Sequence, residues 1–226
     1  MHLKNFKSQA AGLLFGIVAM TMAAPVAQAT TYGNTNDSGY AFSFGYPNTT
    51  VYGEEFTAPG GVLQSWTFTT DGTHFLGNAG NLDFVIASWN GTEAVGPALY
   101  IGATQYDAGT PDEALTWSGI NLSLIPGSDY IAYLSVAGVT DPTTGLNVFL
   151  SQESGGLGGG FYYLNNDGVD PLTSPTAWTS YDTDTPDYMY YSATFAAVPE
   201  PITISLFGAG LAGVAAVRRR KKSKQV

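Results

Sequence analysis

Val62-Leu63-Gln64-Ser65-Trp66-Thr67-Phe68-Thr69 alternates its side chains so that Trp66 and Phe68 share one face. A period of two is the signature of a half-buried β-strand. The same alternation recurs along the middle of the chain. Tyr40, Phe42 and Phe44 alternate with small residues, and Leu82, Phe84 and Ile86 alternate with Asp83, Val85 and Ala87. Ile120, Leu122 and Leu124 continue the series, followed by Tyr130, Ala132, Leu134 and Val136, then Leu146, Val148 and Leu150, then Tyr188 to Phe195. Asp71-Gly72, Asn90-Gly91, Pro126-Gly127, Asp141-Pro142 and Asp167-Gly168 separate the runs with turn chemistry. Residues 30–197 therefore predict one all-β domain, an antiparallel sandwich or barrel with no helical period inside it, and a β-sandwich of jelly-roll-like form is the expected arrangement.

Charge divides the 226-residue chain into three parts. Lys4 and Lys7 open it, and the other six cations are Arg218, Arg219, Arg220, Lys221, Lys222 and Lys224. No Lys or Arg lies between Ala10 and Val217, whereas 17 of the 18 acids lie between Asp37 and Asp187. The net charge of −10 thus averages two basic ends around a strongly acidic middle. A cation-free, acidic domain excludes nucleic acid as a partner, because phosphate neutralisation depends on Lys and Arg. There is no Cys, which removes thiol catalysis, Cys–zinc sites and iron–sulfur clusters.

The two ends read as transport signals. Lys4 and Lys7 precede an apolar stretch from Ala10 to Met22, and Ala27-Gln28-Ala29 supplies small residues for signal peptidase. Residues 1–29 are expected to form a cleavable signal helix cut after Ala29. At the other end, Val198-Pro199-Glu200-Pro201 precedes an apolar run over 202–217 and the basic cluster Arg218, Arg219, Arg220, Lys221 and Lys222. Sixteen helical residues cover about 24 Å at about 1.5 Å each, a little less than a ~30 Å hydrocarbon core. A single transmembrane helix is expected there, with the cluster and the rest of the 218–226 tail cytoplasmic.

The order of motif, apolar segment and basic cluster resembles the PEP-CTERM sorting signal, a tail also catalogued as the C-terminal domain of ice-binding-type proteins. Val198, Pro199, Glu200 and Pro201 match its motif position by position, and the resemblance covers 198–226. It implies export in a Gram-negative bacterium that makes exopolysaccharide, with an inner-membrane-anchored precursor passed on to the envelope or extracellular matrix. It also implies a membrane-embedded sorting enzyme, an exosortase, that processes the tail. The two prolines keep the motif extended and non-helical, a form that a processing enzyme can grip. The ice-binding label belongs to the tail and says nothing of the domain. A looser resemblance covers about residues 50–137. Gly53 to Pro59, Leu63 to Phe68, Phe84 to Gly91, Gly96 to Tyr100 and Leu124 to Ser135 look like jelly-roll domains found on proteins with this tail.

Chemistry in the middle is sparse. His74 is the one His outside the leader, and no Gly-x-Ser-x-Gly elbow surrounds any Ser. Gly155 to Gly160 lacks the Lys of a phosphate loop and reads as a flexible loop or bulge. Glu54, Glu55, Glu93, Glu113 and Glu153 are candidates for the carboxylate pair of a glycoside hydrolase, and nothing in the sequence selects two of them. Asn165 to Asp170 and Tyr181 to Asp187 concentrate acids. Asp182, Asp184 and Asp187 could supply oxygens to Ca²⁺, and the same residues also begin metal-free turns. No other cofactor is expected. Trp89, Trp117, Trp178, Tyr162, Tyr163, Tyr190 and Tyr191 could present flat rings to a sugar or fill the core. The expected function is a non-enzymatic, exported envelope or matrix protein, with extracellular polysaccharide as candidate partner. A glycan-active sandwich enzyme is the alternative.

Overall fold

The computed structural model describes residues 28–34, 38–47, 49–71, 79–173, 176–181 and 187–197. All belong to one compact unit, Ala27–Glu200. The unit is all-β, and its strands follow the chain as β1 (Ala29–Gly33), β2 (Gly39–Phe44), β3 (Val51–Thr57), β4 (Val62–Asp71), β5 (Gly80–Trp89), β6 (Ala94–Ile101) and β7 (Gln105–Asp107). They continue as β8 (Glu113–Ser123), β9 (Asp129–Ser135), β10 (Leu146–Ser151), β11 (Phe161–Leu164), β12 (Thr179–Ser180), β13 (Tyr188–Met189) and β14 (Tyr191–Ala196). The expected signal helix over 1–29 and the transmembrane helix over 202–217 lie outside the described residues, apart from Gln28 and Ala29. Among the described residues, no helix is long and apolar enough to cross a membrane.

Two seven-stranded antiparallel sheets make up the fold. The first runs β1-β14-β4-β10-β13, with β8 on the other flank of β4 and β2 on β10. The second runs β12-β11-β3-β9-β5-β6, with β7 also on β5. The inward residues meet in one aromatic core. Trp66 and Phe68 point into it as their alternation requires, beside Phe56, Phe84, Trp117, Tyr191 and Phe195. Trp66 stacks on Tyr191 with centroids 4.9 Å apart and planes 11° apart, and Phe84 stacks on Trp117 at 4.6 Å.

The second sheet buries its other face as well. Val51, Val85, Ala87, Ile131 and Tyr133 lie beneath Leu164 and Trp178, with Leu172 packed against them. The segment after β11 therefore works as a cover for this sheet. Gly53 makes room for it: a Cβ there would come within 2.9 Å of both Trp178 and Ile131.

The Gly155–Gly160 run seals one end of the sandwich. Gly155 accepts the Gly33 N–H at 3.0 Å, Leu157 accepts the Thr57 N–H at 2.9 Å, and Gly160 accepts the Glu55 N–H at 2.9 Å. Leu157 is buried in the core. At Gly159 the backbone has φ +90°, and a Cβ would fall 1.8 Å from the Glu55 carbonyl oxygen. The glycines are thus required by a close backbone crossing, and the run is no phosphate cradle.

Core substitutions test the aromatic stack. Trp66 is wholly buried, and its indole N–H has no hydrogen-bond partner. Trp66→Ala is expected to cost about 3–5 kcal/mol in chemical denaturation, through lost burial and a cavity. Trp66→Phe should cost less than half as much, because it keeps a ring in the stack and removes the unsatisfied donor.

Candidate functional site

The strongest sequence signals concern processing, and the fold brings their two flanks together. β1 pairs antiparallel with β14 in the register Ala29↔Ala196, Thr30↔Phe195, Thr31↔Thr194, Tyr32↔Ala193 and Gly33↔Ser192. The residue expected to precede the signal-peptidase cut therefore lies opposite the last residue of β14. The chain leaves β14 through Ala197, and the sorting motif begins at Val198. Ala27, the motif residues Val198, Pro199, Glu200 and Pro201, and the basic cluster Arg218, Arg219, Arg220, Lys221 and Lys222 all lie outside the described residues.

β14 is held on both flanks. It pairs with β4 from Tyr191↔Phe68 to Ala196↔Val62, and it buries Tyr191, Ala193 and Phe195 in the core. A polar clamp fixes its start. The Asn34 amide donates to the Met189 carbonyl at 2.8 Å and to the Glu153 carbonyl at 3.1 Å, while its oxygen accepts the Tyr191 N–H at 2.9 Å. Glu54 Oε2 accepts the Met189 N–H at 2.7 Å. The Tyr191 hydroxyl donates to the Ser154 carbonyl at 2.8 Å, joining the strand to the glycine-rich seal. No periodic signal in the sequence marks Asn34.

Glu54 points inward because β3 alternates Tyr52, Glu54 and Phe56 toward the core. It is completely buried, and its Oε1 has no partner. Burial pushes its carboxyl well above the usual carboxylate range, with the Met189 N–H pulling the other way and the Glu55 charge adding a further push upward. The adjacent Glu55 faces the opposite side of β3. Its carboxyl is also raised, first by burial, against a hydrogen bond with Tyr162. The other candidate acids are dispersed. Glu93 lies beside the β5–β6 turn, 3.4 Å from the Asn90 amide, and Glu113 accepts from the Ala108 N–H and the Thr110 hydroxyl at 3.0 Å each. Glu153 follows β10.

The aromatic candidates also separate. Trp89, Trp117, Trp178 and Tyr191 are buried, whereas Tyr162, Tyr163 and Tyr190 are half-buried. Trp89 packs edge-on against Trp178 at 5.6 Å under the covering segment, and Trp117 donates its N–H to the Ala103 carbonyl at 2.9 Å. These four rings are core material, the second of the two roles that the sequence leaves open to them. Of the three acids considered for Ca²⁺, Asp182 and Asp184 lie outside the described residues, and Asp187 accepts the Phe161 N–H through its carbonyl at 2.9 Å. In the other acidic loop, Asn166 bonds to the Thr50 hydroxyl and the Val169 carbonyl, and Asp170 Oδ1 accepts the Leu172 N–H at 2.9 Å. Those two side chains close their own turns. Among the described residues, no group of three or more His, Cys, Asp or Glu could hold a metal ion.

Residues 197–221 match the family model of the PEP-CTERM protein-sorting motif. The chain carries a PEP-CTERM sorting motif. It is therefore an exported protein whose tail is processed at the membrane by an exosortase-type enzyme. No curated protein matches the chain. Among solved structures it is similar to a clostridial cysteine protease, Cwp84, after propeptide cleavage. The identity is 13% and the TM-score 0.47, over 75% of this chain and 40% of that one. It is also similar to the cysteine protease and lectin-like domains of Cwp84, a surface layer associated protein of Clostridium difficile. There the identity is 13% and the TM-score 0.41, over 73% of this chain and 37% of that one. The chain thus spans about two fifths of the length of these structures.

The buried acid gives a measurable pH dependence. The folded state binds the Glu54 proton more tightly than the unfolded state does, so stability falls as pH rises above the unfolded carboxyl range and continues to fall until the folded group ionises. Glu54→Gln keeps an acceptor for Met189 and removes the ionisation. Urea denaturation should find the variant close to the parent at pH 4 and more stable at pH 8. Glu55 and Asp107 are raised in the same direction, so the slope should flatten without vanishing.

Proposed function

We propose that this chain is a non-enzymatic cargo protein, a jelly-roll-like β-sandwich delivered by its PEP-CTERM tail to the cell envelope or extracellular matrix of a Gram-negative bacterium. There it associates with exopolysaccharide. The observation that carries this reading is the position of the sorting motif. Its family match begins at Ala197, the residue after β14, so the sorting signal is fused to a core strand without a linker. Whatever the tail is processed into, the folded sandwich goes with it.

On this reading signal peptidase cuts after Ala29 and leaves Thr30 as the first residue. Four of the five β1–β14 register pairs then remain. The apolar segment 202–217 holds the precursor in the inner membrane, with the Arg/Lys cluster cytoplasmic, until the exosortase acts at the Val198–Pro201 motif. The acidic domain faces outward, where its charge keeps it soluble. A non-catalytic role is supported by the dispersal of the five Glu candidates, of which Glu54 and Glu55 point to opposite faces of one strand. Ca²⁺ at Asp182, Asp184 and Asp187 remains a subsidiary proposal, open to calorimetric titration of the processed protein.

Expression in a host that carries an exosortase tests the sorting. Mass spectrometry of the wild-type protein from the envelope or medium should show a chain that begins at Thr30 and has lost the basic cluster. The Pro199→Ala/Pro201→Ala variant should accumulate in the membrane fraction with its tail intact. Recovery of wild type from the cytosol as an intact chain, Met1 to Val226, would overturn the proposal.

A further inference from the structure

The outward face of the first sheet carries hydroxyls and no acid along four adjacent strands of an acidic domain. Register places Thr31 opposite Thr194, Thr194 opposite Ser65, and Ser65 opposite Ser118, so four adjacent strands present one row of hydroxyls. The next row runs from Gly33 through Ser192 and Thr67 to Thr116. Their sequence neighbours Tyr191, Ala193, Trp66, Phe68, Leu115 and Trp117 point into the core, which leaves these rows to solvent. Thr31 and Thr194 bond hydroxyl to hydroxyl at 3.0 Å, and Thr67 and Thr116 at 2.9 Å. In each such pair one O–H is used, and the other remains to donate outward. Strands lie about 4.8 Å apart and side chains on one face repeat about every 6.8 Å, so the rows form a lattice of donors and acceptors.

No ionisable side chain interrupts these rows. Over 31–33, 192–196, 65–69 and 114–118 the outward residues are Thr, Ser, Ala and Gly, and the next acid along β4, Asp71, is buried. Where the rows end, Thr67, Thr69, Ser192 and Tyr190 line an open depression of about 310 Å³. It combines a hydroxyl floor with an aromatic wall, the pairing that suits a sugar ring with its apolar face and polar rim.

We infer that this hydroxyl face is the docking surface for a neutral polysaccharide. The inference rests on the exopolysaccharide association proposed above, to which it adds a site and a ligand class. Charge decides the class. A domain with 17 acids between Asp37 and Asp187 and no Lys or Arg in that span repels a polyanionic glycan, while an uncharged one meets no such barrier. Contact at these rows desolvates no charged side chain, and each hydroxyl can exchange its water for a sugar hydroxyl as donor or acceptor. Across the molecule, the outer face of the second sheet lies under its own covering segment. Its depression beside Ile101 includes the acids Asp83 and Asp170 and measures about 120 Å³.

Affinity electrophoresis of the full chain in mild detergent, through gels cast with dextran, galactomannan or alginate, tests the inference. Wild type should be retarded by a neutral gel and not by anionic alginate. Thr31→Asp, on an exposed edge, and the shape-conserving Thr67→Val/Thr194→Val should each weaken that retardation about tenfold or more, with unchanged melting. Ile101→Asp, on the second sheet, should leave it intact. Thr variants that bind like wild type would overturn the face and leave the polysaccharide association standing. Retardation by alginate alone would overturn the ligand class. Retardation by no gel would overturn both the inference and the association.

Discussion

The contact of Tyr191 on Trp66 ties the last strand of this domain to its centre. The rings lie 4.9 Å apart and nearly parallel. Tyr191 is also bonded at both ends, its N–H to Asn34 and its hydroxyl to Ser154. One residue therefore joins β14 to the core, to the end of β1 and to the glycine-rich seal. Because β14 lies between β1 and β4, its placement also fixes which side chains of those strands face inward. The hydroxyl rows are the necessary reverse side of the aromatic core. A one-residue slip of β14 would exchange Tyr191, Ala193 and Phe195 for Ser192, Thr194 and Ala196.

The same arrangement explains how a sorting tail can be attached directly to a folded core. A strand that ends in a sheet edge would fray under any pull from the membrane side. Here the strand before the motif is paired on both flanks and clamped at its start. β1 is the outermost strand of its sheet, and its N-terminal end lies beside the C-terminal end of β14. The first strand of the domain consequently begins beside the point where the last one ends. This follows from antiparallel pairing alone. Glu54 lies on the other side of the same clamp. A buried, half-satisfied carboxyl is costly, and the Met189 N–H that it accepts belongs to the short strand feeding β14.

Period-two alternation found the strands that bury one face against the core. Trp66 with Phe68, the Leu82–Phe84–Ile86 set, the Tyr130–Val136 set and the Leu146–Leu150 set all point inward. Three glycine turns held too: Asn90 Oδ1 accepts the N–H groups of Thr92 and Glu93, and Gly127 and Gly168 have positive φ, while Gly72 lies outside the described residues. Alternation failed where a strand is short or lies at an edge. β1 carries Thr-Thr-Tyr-Gly beside the leader, and β11 follows five glycines, so neither shows a pattern. In β5 and β9 alternation found the inward face and missed the burial of the outward one: seven of ten residues of β5 and all but the first of β9 are buried, because Leu172 and Trp178 fold back over the second sheet, and no local signal announces such a cover. The expected single run from Tyr188 to Phe195 breaks at Tyr190 into β13 and β14, since β13 pairs with β10 and β14 with β1 and β4. Phe42 lies in β2, and its side chain is outside the described residues.

The two sheets solve one problem in different ways. A strand needs β-branched or aromatic residues to hold its extended form, yet a face left to water cannot be apolar. The second sheet keeps Val51, Val85 and Ile131 outward and spends a chain segment to cover them. The first sheet has only β1, β14, β4 and β8 on that stretch and no comparable apolar cover among the described residues. It uses Thr, which is β-branched and carries a hydroxyl. Charged residues would serve solubility as well, and acids are plentiful elsewhere in the domain. Solvation therefore accounts for polar residues on this face and does not account for the absence of acids from two successive rows on four strands. That absence is the feature that separates a merely wet sheet from one shaped for an uncharged partner.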